Sequence, residues 1–418
     1  MTKTEIIEKL NELLSYAELY EGAIDRNRSQ GSCAHFSKFV KRLHTYYTFR
    51  LSVEHSRLYS DIFWSIYRSG SLQEKYSIKF VEKKFHDFLI KHKVENSVIT
   101  TKIYDKFYNV LNMAKIESLS VFCQLYGVEV NTDEPLKIGC FTLYNYPLHK
   151  KQLLKITGHK TEKDLLEYHS SFKEHAIWIS TEIETIDTDK ACELALYRFE
   201  VFQGICKFFF DINRYNAYCV CVSNDLEIRF DRYFIAANGI NHETFANRSC
   251  RHEKIESNIL LNIHPLFKSL LDRLFSPGKN EVSERIKYAF VTYGRIIHER
   301  ASAQQLTLYI TAIESLIEYN SVDTTELVSN YLSGMICNNS ESFNATKEHF
   351  KGIYNLRSEI SHGSRINVLI GDLQYAQAYS AELILKFISD REILPITKSS
   401  DLKSHLESKV KRLEMIKQ

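Results

Sequence analysis

The last third of the chain consists of successive segments in which apolar residues recur at spacings of three and four. This spacing places the apolar residues on one face of an α-helix, and each such face has to be buried against another element. Proline and glycine are scarce, with 5 and 14 among 418 residues, which favours long helices. Five such segments with short connections predict a compact helical bundle over residues 256–395, with helices that start near Ser283, Ser302, Asp323, position 345 and Gly371.

Local signals mark where several of these helices begin and end. Ser283 is expected to cap the first helix, and Asp323 stands three residues before Glu326, in the spacing of a capping box. Gly363 follows the fourth helix and suits a left-handed position just past a helix end. Beyond the bundle, residues 396–418 keep a helical apolar period, which predicts an amphipathic surface helix or tail.

The N-terminal region, residues 1–115, is predicted to be helical. Thr2 and Glu5 have capping-box spacing ahead of an apolar stripe. A long aromatic-rich helix is expected over residues 36–68, and a third helix over residues 72–92.

Between residues 116 and 255 the apolar period changes to two, which indicates strands. A helix beginning at Asp187 or Asp189 is expected among them. Strands are predicted at 136–142 and 177–183, and a hairpin is predicted from 218–222 and 226–230. The expected fold class is therefore mainly α, with a central mixed α+β domain between the N-terminal helical region and the C-terminal bundle.

Charge and cysteine usage limit the class of protein. The net charge is +2, so the chain lacks the overall basicity typical of proteins that coat nucleic acid. The nine cysteines contain no C-x-x-C pair, which favours reduced thiols in a cytoplasmic protein. No run of 18 apolar residues occurs, so no membrane span is expected.

One charged residue interrupts the apolar stripe of the fourth helix. Arg357 follows Ile353 by four residues and precedes Ile360 by three, so it falls on the buried face. A cation there is costly unless it is paired or faces a polar cleft. His362 lies in the last turn, where the carbonyl dipoles favour a protonated imidazole. Two interpretations remain open at this point: an active pair, or a structural arginine bound to Glu314 or Glu359 together with a histidine that only ends the helix.

The stretch around Arg357 resembles the signature of the HEPN ribonuclease superfamily, in which an arginine is followed by four to six residues and then a histidine. It is most similar to the Apea-like branch, whose pattern is matched by Tyr354, Arg357, Ser358, His362 and Gly363. The preceding helical segment, 310–317, resembles that branch's pattern around an acidic residue, here Glu314. The resemblance covers about residues 282–390.

The spacing alone is not specific, because Arg50 and His55 show it too, as do Arg28 and His35. The flanking residues and the helical context distinguish the pair at Arg357.

The resemblance implies a HEPN-type fold and a metal-independent endoribonuclease that uses the RNA 2′-OH as nucleophile. Arg357 and His362 would be catalytic, with Glu314, Ser358, Tyr354 and Glu359 in support. Ser358 stands where many relatives carry Asn, Asp or His, which leaves its role open. The family pairs protomers, so a homodimer with a composite site is expected. The implied biology is an antiviral effector of abortive infection that cuts RNA, such as tRNA or mRNA, after a phage-derived trigger.

Other chemistries have little support. No cofactor motif is present, since Gly278-Lys279 lacks Walker spacing and no G-x-G-x-x-G occurs. No metal site is expected, because Cys33 and His35 lack a second ligand pair. The remaining rivals are a non-catalytic HEPN domain that dimerises or binds nucleotide or RNA, and an interaction scaffold.

Overall fold

The computed structural model describes residues 1–21, 32–40, 45–113, 116–168, 177–215, 218, 220–222, 232–237, 240–245, 254–278, 280–296, 299, 301–317, 323–364 and 367–415. The chain forms two compact units, one of Met1–Val121 with Glu182–Ala195 and the other of Phe122–Thr181 with Leu196–Gln418. This division differs from the predicted boundaries at 115 and 255, because the central region contributes to both units. The fold is mainly α-helical with small sheets, as expected.

The first unit combines five helices with a three-stranded sheet. Its strands pair antiparallel in the order β1-β3-β2, with Leu19 opposite Phe49. Phe49, Leu13, Ile62 and Phe85 share one buried core. In chain order the elements are α1 (Lys3–Tyr16), β1 (Glu18–Glu21), β2 (Ser32–Val40), β3 (Thr45–Ser52), α2 (Ser56–Tyr67), α3 (Leu72–Lys75), α4 (Ile78–Val94) and α5 (Thr101–Asn112).

The prediction of a helix over residues 36–68, and with it a wholly helical N-terminal region, is wrong. Of the described residues in that range, only those of α2 are helical, and β2 and β3 lie before it. Aromatic and β-branched residues are dense in β3, and they pack well on a half-buried pleated surface. Phe49 and Leu51 are buried on either side of the half-buried Arg50, which is the alternation of a strand.

The predicted helix over residues 72–92 is divided into α3 and α4 at Tyr76 and Ser77. The Ser77 hydroxyl accepts a hydrogen bond from the Phe80 N–H at 3.1 Å and caps α4. The buried Asp187 accepts hydrogen bonds from the N–H and hydroxyl of Ser77 at 2.6 and 2.7 Å. Its second oxygen accepts from the Asp189 N–H at 3.0 Å, so one carboxylate serves the first turns of two helices.

The central region alternates strands and helices. The predicted strand at 177–183 is confirmed, whereas the stretch 136–142 is divided by a turn at Gly139 and Cys140 into two strands that pair antiparallel. All three strands belong to a sheet in the order β4-β8-β7-β6. The predicted helix at Asp187 or Asp189 is confirmed as well. The loop and second strand of the predicted hairpin, 223–225 and 226–230, lie outside the described residues. The elements are β4 (Ser118–Gln124), β5 (Val128–Glu129), β6 (Leu136–Ile138), β7 (Phe141–Asn145), α6 (Lys150–Thr157), α7 (Glu162–Tyr168), β8 (Ile177–Glu184), α8 (Thr188–Ile212), β9 (Arg232–Ala237), β10 (Ile240–Phe245) and β11 (Ile255–Glu256).

The C-terminal part is a bundle of packed helices. Helix α11 packs on α12, α12 on α15, and α13 on both α14 and α16. Within the described residues no helix is long and apolar enough to cross a membrane. The helices are α9 (Ser257–Leu261), α10 (Phe267–Leu274), α11 (Glu281–Arg295), α12 (Ser302–Ile317), α13 (Thr324–Ile336), α14 (Ser340–Ser361), α15 (Ile370–Ser389) and α16 (Ser399–Met415).

Two helix boundaries differ in detail from the expectations, and a third is as predicted. Asn280, not Ser283, caps α11 by accepting from the Ser283 N–H at 2.8 Å. Helix α14 begins at Ser340, earlier than position 345, because Asn339 caps it. Asp323 caps α13 as predicted, accepting from the Glu326 N–H at 3.0 Å.

The C-terminal helix α16 is amphipathic as predicted, but it is part of the bundle and not a surface tail. Its apolar residues Leu402, Leu406, Val410 and Leu413 are buried, and the helix packs on α13. A Cβ at Gly334 of α13 would lie 2.9 Å from Val410 Cγ2, which shows how closely the two helices approach.

Helices α8 and α11 cross so closely that glycine is required in α8. A Cβ added to Gly204 would lie 1.9 Å from the carbonyl oxygen of Phe290. We expect Gly204→Ala to destabilise the protein by about 1–3 kcal/mol or more, because α8 and α11 have to move apart to make room for the methyl group. The matched control is Gly352→Ala in α14, where a Cβ meets nothing within 4 Å and should add up to about 1 kcal/mol of stability. Thermal unfolding monitored by circular dichroism measures both, and equal melting temperatures for the two variants would contradict the close crossing.

Candidate functional site

Arg357 lies on α14 and forms an ion pair with Glu314 of α12. Its Nη2 donates to Glu314 Oε2 at 3.1 Å, and the Tyr354 hydroxyl donates to Glu314 Oε1 at 2.5 Å. The Glu314 side chain is 8% exposed and that of Arg357 is 30% exposed. A buried carboxylate is therefore held by two donors from one turn of α14, and the guanidinium extends from it towards the surface.

The apolar pattern of the two helices explains this placement. Phe350 and Ile353 of α14 are buried, and Arg357 continues their stripe one turn further on. Ile313 and Ile317 flank Glu314 in α12 and are fully buried, so the carboxylate lies inside the bundle. Burial of an unpaired carboxylate is expensive, and the contacts from Arg357 and Tyr354 offset that cost. Of the two acidic partners left open by the sequence, the structure pairs Arg357 with Glu314.

The guanidinium of Arg357 retains hydrogen-bonding capacity. Its Nε is buried and has no hydrogen-bond partner among the described residues, and its central carbon lies 5.9 Å from the centre of the Tyr354 ring. Arginine has five N–H donors in a planar fork that matches phosphate oxygens. A cation with one edge fixed by a buried carboxylate and another partly exposed is suited to bind an anion without first having to be ordered.

His362 is the residue that ends α14, and it is exposed. Its N–H donates to the Ser358 carbonyl at 3.0 Å, and Gly363 follows with φ +73°. The left-handed Gly363 confirms the predicted helix end. An exposed imidazole at this position is accessible to a substrate.

Ser358 and Glu359 follow Arg357 in the last turns of α14. Ser358 is half-buried and contributes its carbonyl to the helix end. Glu359 is exposed, and its carbonyl accepts from the N–H and hydroxyl of Ser364 at 3.0 and 2.9 Å. The structure therefore brings together three of the six predicted site residues and leaves the other three along the end of α14.

The other arginine–histidine pair that the structure describes is built differently. Arg50 lies in strand β3, with its guanidinium carbon 5.0 Å from the centre of the Tyr20 ring. His55 precedes α2 and hydrogen-bonds the Ser52 hydroxyl at 2.8 Å. Arg28 lies outside the described residues. The spacing at Arg50 thus lacks the shared helix end that characterises Arg357 and His362.

A second ion-pair cluster joins α13 to α14 and orients the helix that carries Arg357. Lys347 and Lys351 place their ammonium groups 2.5 and 2.6 Å from the two oxygens of Glu326. Hydrogen bonds from Lys347 and then Lys351 lower the pKa of the Glu326 carboxyl to about 2. The pair of lysines therefore keeps this carboxylate charged well into the acid range.

The Glu326 cluster predicts a pH dependence of stability. Because the folded-state pKa is below the unfolded value of about 4.3, the cluster stabilises the fold fully above that value. Its contribution declines as the pH falls from about 4.3 to about 2. We expect Glu326→Gln to lower the melting temperature at pH 7 by more than it does at pH 3. Glu341→Gln, on the exposed first turn of α14, is the control. If Glu326→Gln lowers the melting temperature equally at pH 7 and at pH 3, the prediction is contradicted.

The sequence reasoning missed an aromatic cluster that α14 forms with α15. His349 Nδ1 and the Tyr379 hydroxyl are hydrogen-bonded at 2.8 Å, and the Tyr375 ring packs edge-on against His349 with centroids 4.5 Å apart. The i, i+4 spacing of Tyr375 and Tyr379 in α15 was the available signal. Aromatic residues at this helical spacing are usually buried in a core, and only the structure shows that Tyr375 is exposed.

No group of His, Cys, Asp and Glu side chains suited to a metal ion occurs within the described part of the chain. Compared with protein-family models, with curated proteins and with solved structures, the chain matches none.

Proposed function

We propose that this protein is a metal-independent endoribonuclease of HEPN type. The observation that carries the proposal is the arrangement on α14: a partly exposed Arg357, anchored by the buried Glu314, on the same helix that ends at the exposed His362. A fixed cation and a group that transfers a proton are the two functions that phosphodiester cleavage by a neighbouring hydroxyl requires.

In the proposed reaction the RNA 2′-oxygen attacks the adjacent phosphorus. His362 accepts the proton of the 2′-OH, the new O2′–P bond forms and the P–O5′ bond breaks. The departing 5′-oxygen takes up a proton from an imidazolium, so the products are a 2′,3′-cyclic phosphate and a 5′-OH. Arg357 binds the non-bridging oxygens, on which negative charge accumulates in the transition state.

The separation of the two residues along α14 supports a composite site in a homodimer. Five residues of helix correspond to about 7.5 Å of rise and about 140° of rotation, so Arg357 and His362 face different sides of one helix. A second copy related by a twofold axis would contribute the missing partner to each cleft. Two histidines in one cleft would also divide the roles of base and acid between them.

The proposed setting is a cytoplasmic antiviral effector. In this proposal residues 1–255 act as sensor or specificity modules that respond to a phage-derived trigger, and the substrate is tRNA or mRNA. This step rests on the resemblance of the Arg357 stretch to the HEPN superfamily.

One observation favours a non-catalytic alternative. Arg357 already pairs with Glu314, which Tyr354 also contacts, and such a network would hold α12 and α14 together without any reaction. In that case the bundle serves for dimerisation or for binding nucleotide or RNA.

The test is incubation of the purified protein with total RNA and purified tRNA in EDTA. We expect cleavage under these conditions, because the proposed site needs no metal. A matched oligonucleotide with 2′-deoxy sugars should stay intact, since it lacks the nucleophile. RNA that survives, or equal cleavage of the deoxy control, would overturn the proposal.

A further inference from the structure

Three aromatic side chains lie together on α14 and α15, and we call them the ring platform: the exposed His349 and Tyr375 and the half-buried Tyr379. The hydrogen bond of 2.8 Å between His349 Nδ1 and Tyr379 Oη fixes two of the rings. The Tyr375 and Tyr379 rings lie nearly parallel, with an interplanar angle of 28° and centroids 6.4 Å apart. Tyr375 is 52% exposed, so a large part of an ordered aromatic ring faces solvent.

The platform also leaves polar groups unused. Among the described residues, the Nδ1 of His349 has a hydrogen-bond partner and the Nε2 has none. The Tyr375 hydroxyl likewise has no hydrogen-bond partner in the described part of the chain. Ring faces with free donors and acceptors at their edges match an unpaired nucleobase, which stacks through its π-face and hydrogen-bonds through its edge. An apolar protein surface would cover the rings and leave these polar groups unsatisfied.

The position of the platform relates it to the proposed active site. His349 precedes Arg357 by eight residues on α14, which corresponds to about 12 Å along the helix axis. A strand of RNA whose phosphate is bound at Arg357 can extend over this distance to place a neighbouring base on the platform.

We infer that the ring platform of His349, Tyr375 and Tyr379 binds an unpaired nucleobase of RNA and thereby positions single-stranded segments at Arg357. This inference rests on the proposed function for the identity of the ligand. It assigns the substrate class as RNA with unstacked bases, such as loops or single strands, because a base inside a duplex cannot reach the rings.

The test measures the affinity of the full-length His362→Ala protein for a short single-stranded RNA by fluorescence anisotropy, so that cleavage does not interfere. Adding Tyr375→Ala should weaken binding roughly 5- to 100-fold, the effect of removing one stacking ring. Adding Tyr375→Trp should retain the affinity, and its fluorescence should be quenched on binding. The matched control is Tyr288→Ala, which removes a 49% exposed tyrosine from α11 and should leave binding unchanged.

Equal affinity with and without Tyr375→Ala would overturn the inference, as would an equal loss from Tyr288→Ala. If Tyr375→Ala changes the oligomeric state measured by sedimentation but not the affinity for RNA, the platform is a contact between copies of the chain. This result would also overturn the inference. Cleavage by the wild type in EDTA is measured in parallel. Binding that depends on Tyr375 without cleavage would disprove the proposed function alone, and cleavage without such dependence would disprove the inference alone.

Discussion

Replacement of His362 by alanine is expected to lower the rate of RNA cleavage by about 10²- to 10⁴-fold while leaving the protein's stability unchanged. The loss follows from removing the proton-transfer group, whose contribution is typically of that size. The stability should change by less than about 0.5 kcal/mol, because His362 is exposed at the end of α14 and contributes only backbone contacts to the bundle. Single-turnover cleavage of a labelled RNA in EDTA measures the rate, and thermal unfolding measures the stability.

Two further variants sharpen this experiment. His159→Ala removes a half-buried histidine from the segment between α6 and α7 and should cleave at the wild-type rate. Arg357→Lys keeps a cation beside Glu314 but loses the planar fork. The variant should therefore fold normally and cleave RNA poorly. Mixing the Arg357→Lys and His362→Ala proteins should restore part of the activity, since a mixed dimer retains one arginine and one histidine. If mixing restores nothing, the composite site is wrong, and a normal rate for His362→Ala excludes this residue from the chemistry.

Replacement of Arg357 by methionine is expected to destabilise the C-terminal bundle by about 2–3 kcal/mol. Removing one partner of a fully buried ion pair costs about 3–5 kcal/mol, and the smaller figure allows for the partial exposure of Arg357. The cost arises because Glu314 stays buried without its cationic partner, while the Tyr354 hydroxyl still donates to it. The double variant Arg357→Met with Glu314→Gln should recover much of the loss, since a neutral amide needs no cation.

The chain offers a selective probe for this measurement. Its two tryptophans are divided between the compact units, with Trp64 in the first and the buried Trp178 in the second. In a Trp64→Phe background, urea unfolding followed by fluorescence therefore reports the unit that contains Arg357. Equal unfolding midpoints for Arg357→Met and its parent would show that the ion pair contributes nothing to stability.

Parts of the fold follow from local sequence signals. Helices α12 to α16 carry continuous apolar stripes, and Asp323 and Gly363 mark helix ends through their own backbone preferences. The strands β1 to β3 were missed because their stability depends on pairing across the chain: Phe49 contributes to a core only once Leu19 lies opposite it. Aromatic residues at mixed spacings satisfy a helical template and a strand template equally.

The candidate site was only partly predictable, because some of its contacts also depend on the packing of distant segments. Arg357 could be identified as unusual, because one helix face defines its position. Its partner could not be chosen from the sequence, since Glu314 is 43 residues away and reaches Arg357 only after α12 and α14 pack. The ring platform depends on three residues from two helices and on a hydrogen bond between His349 and Tyr379, so no single segment reveals it.

The most direct test of the proposed ribonuclease activity is the chemistry of the RNA ends that the protein leaves in EDTA. If Arg357 and His362 drive attack by the 2′-OH, every 5′ fragment should end in a 2′,3′-cyclic phosphate and every 3′ fragment should begin with a 5′-OH. Fragments that end in a 3′-OH and begin with a 5′-phosphate would contradict this account, and so would RNA that remains intact.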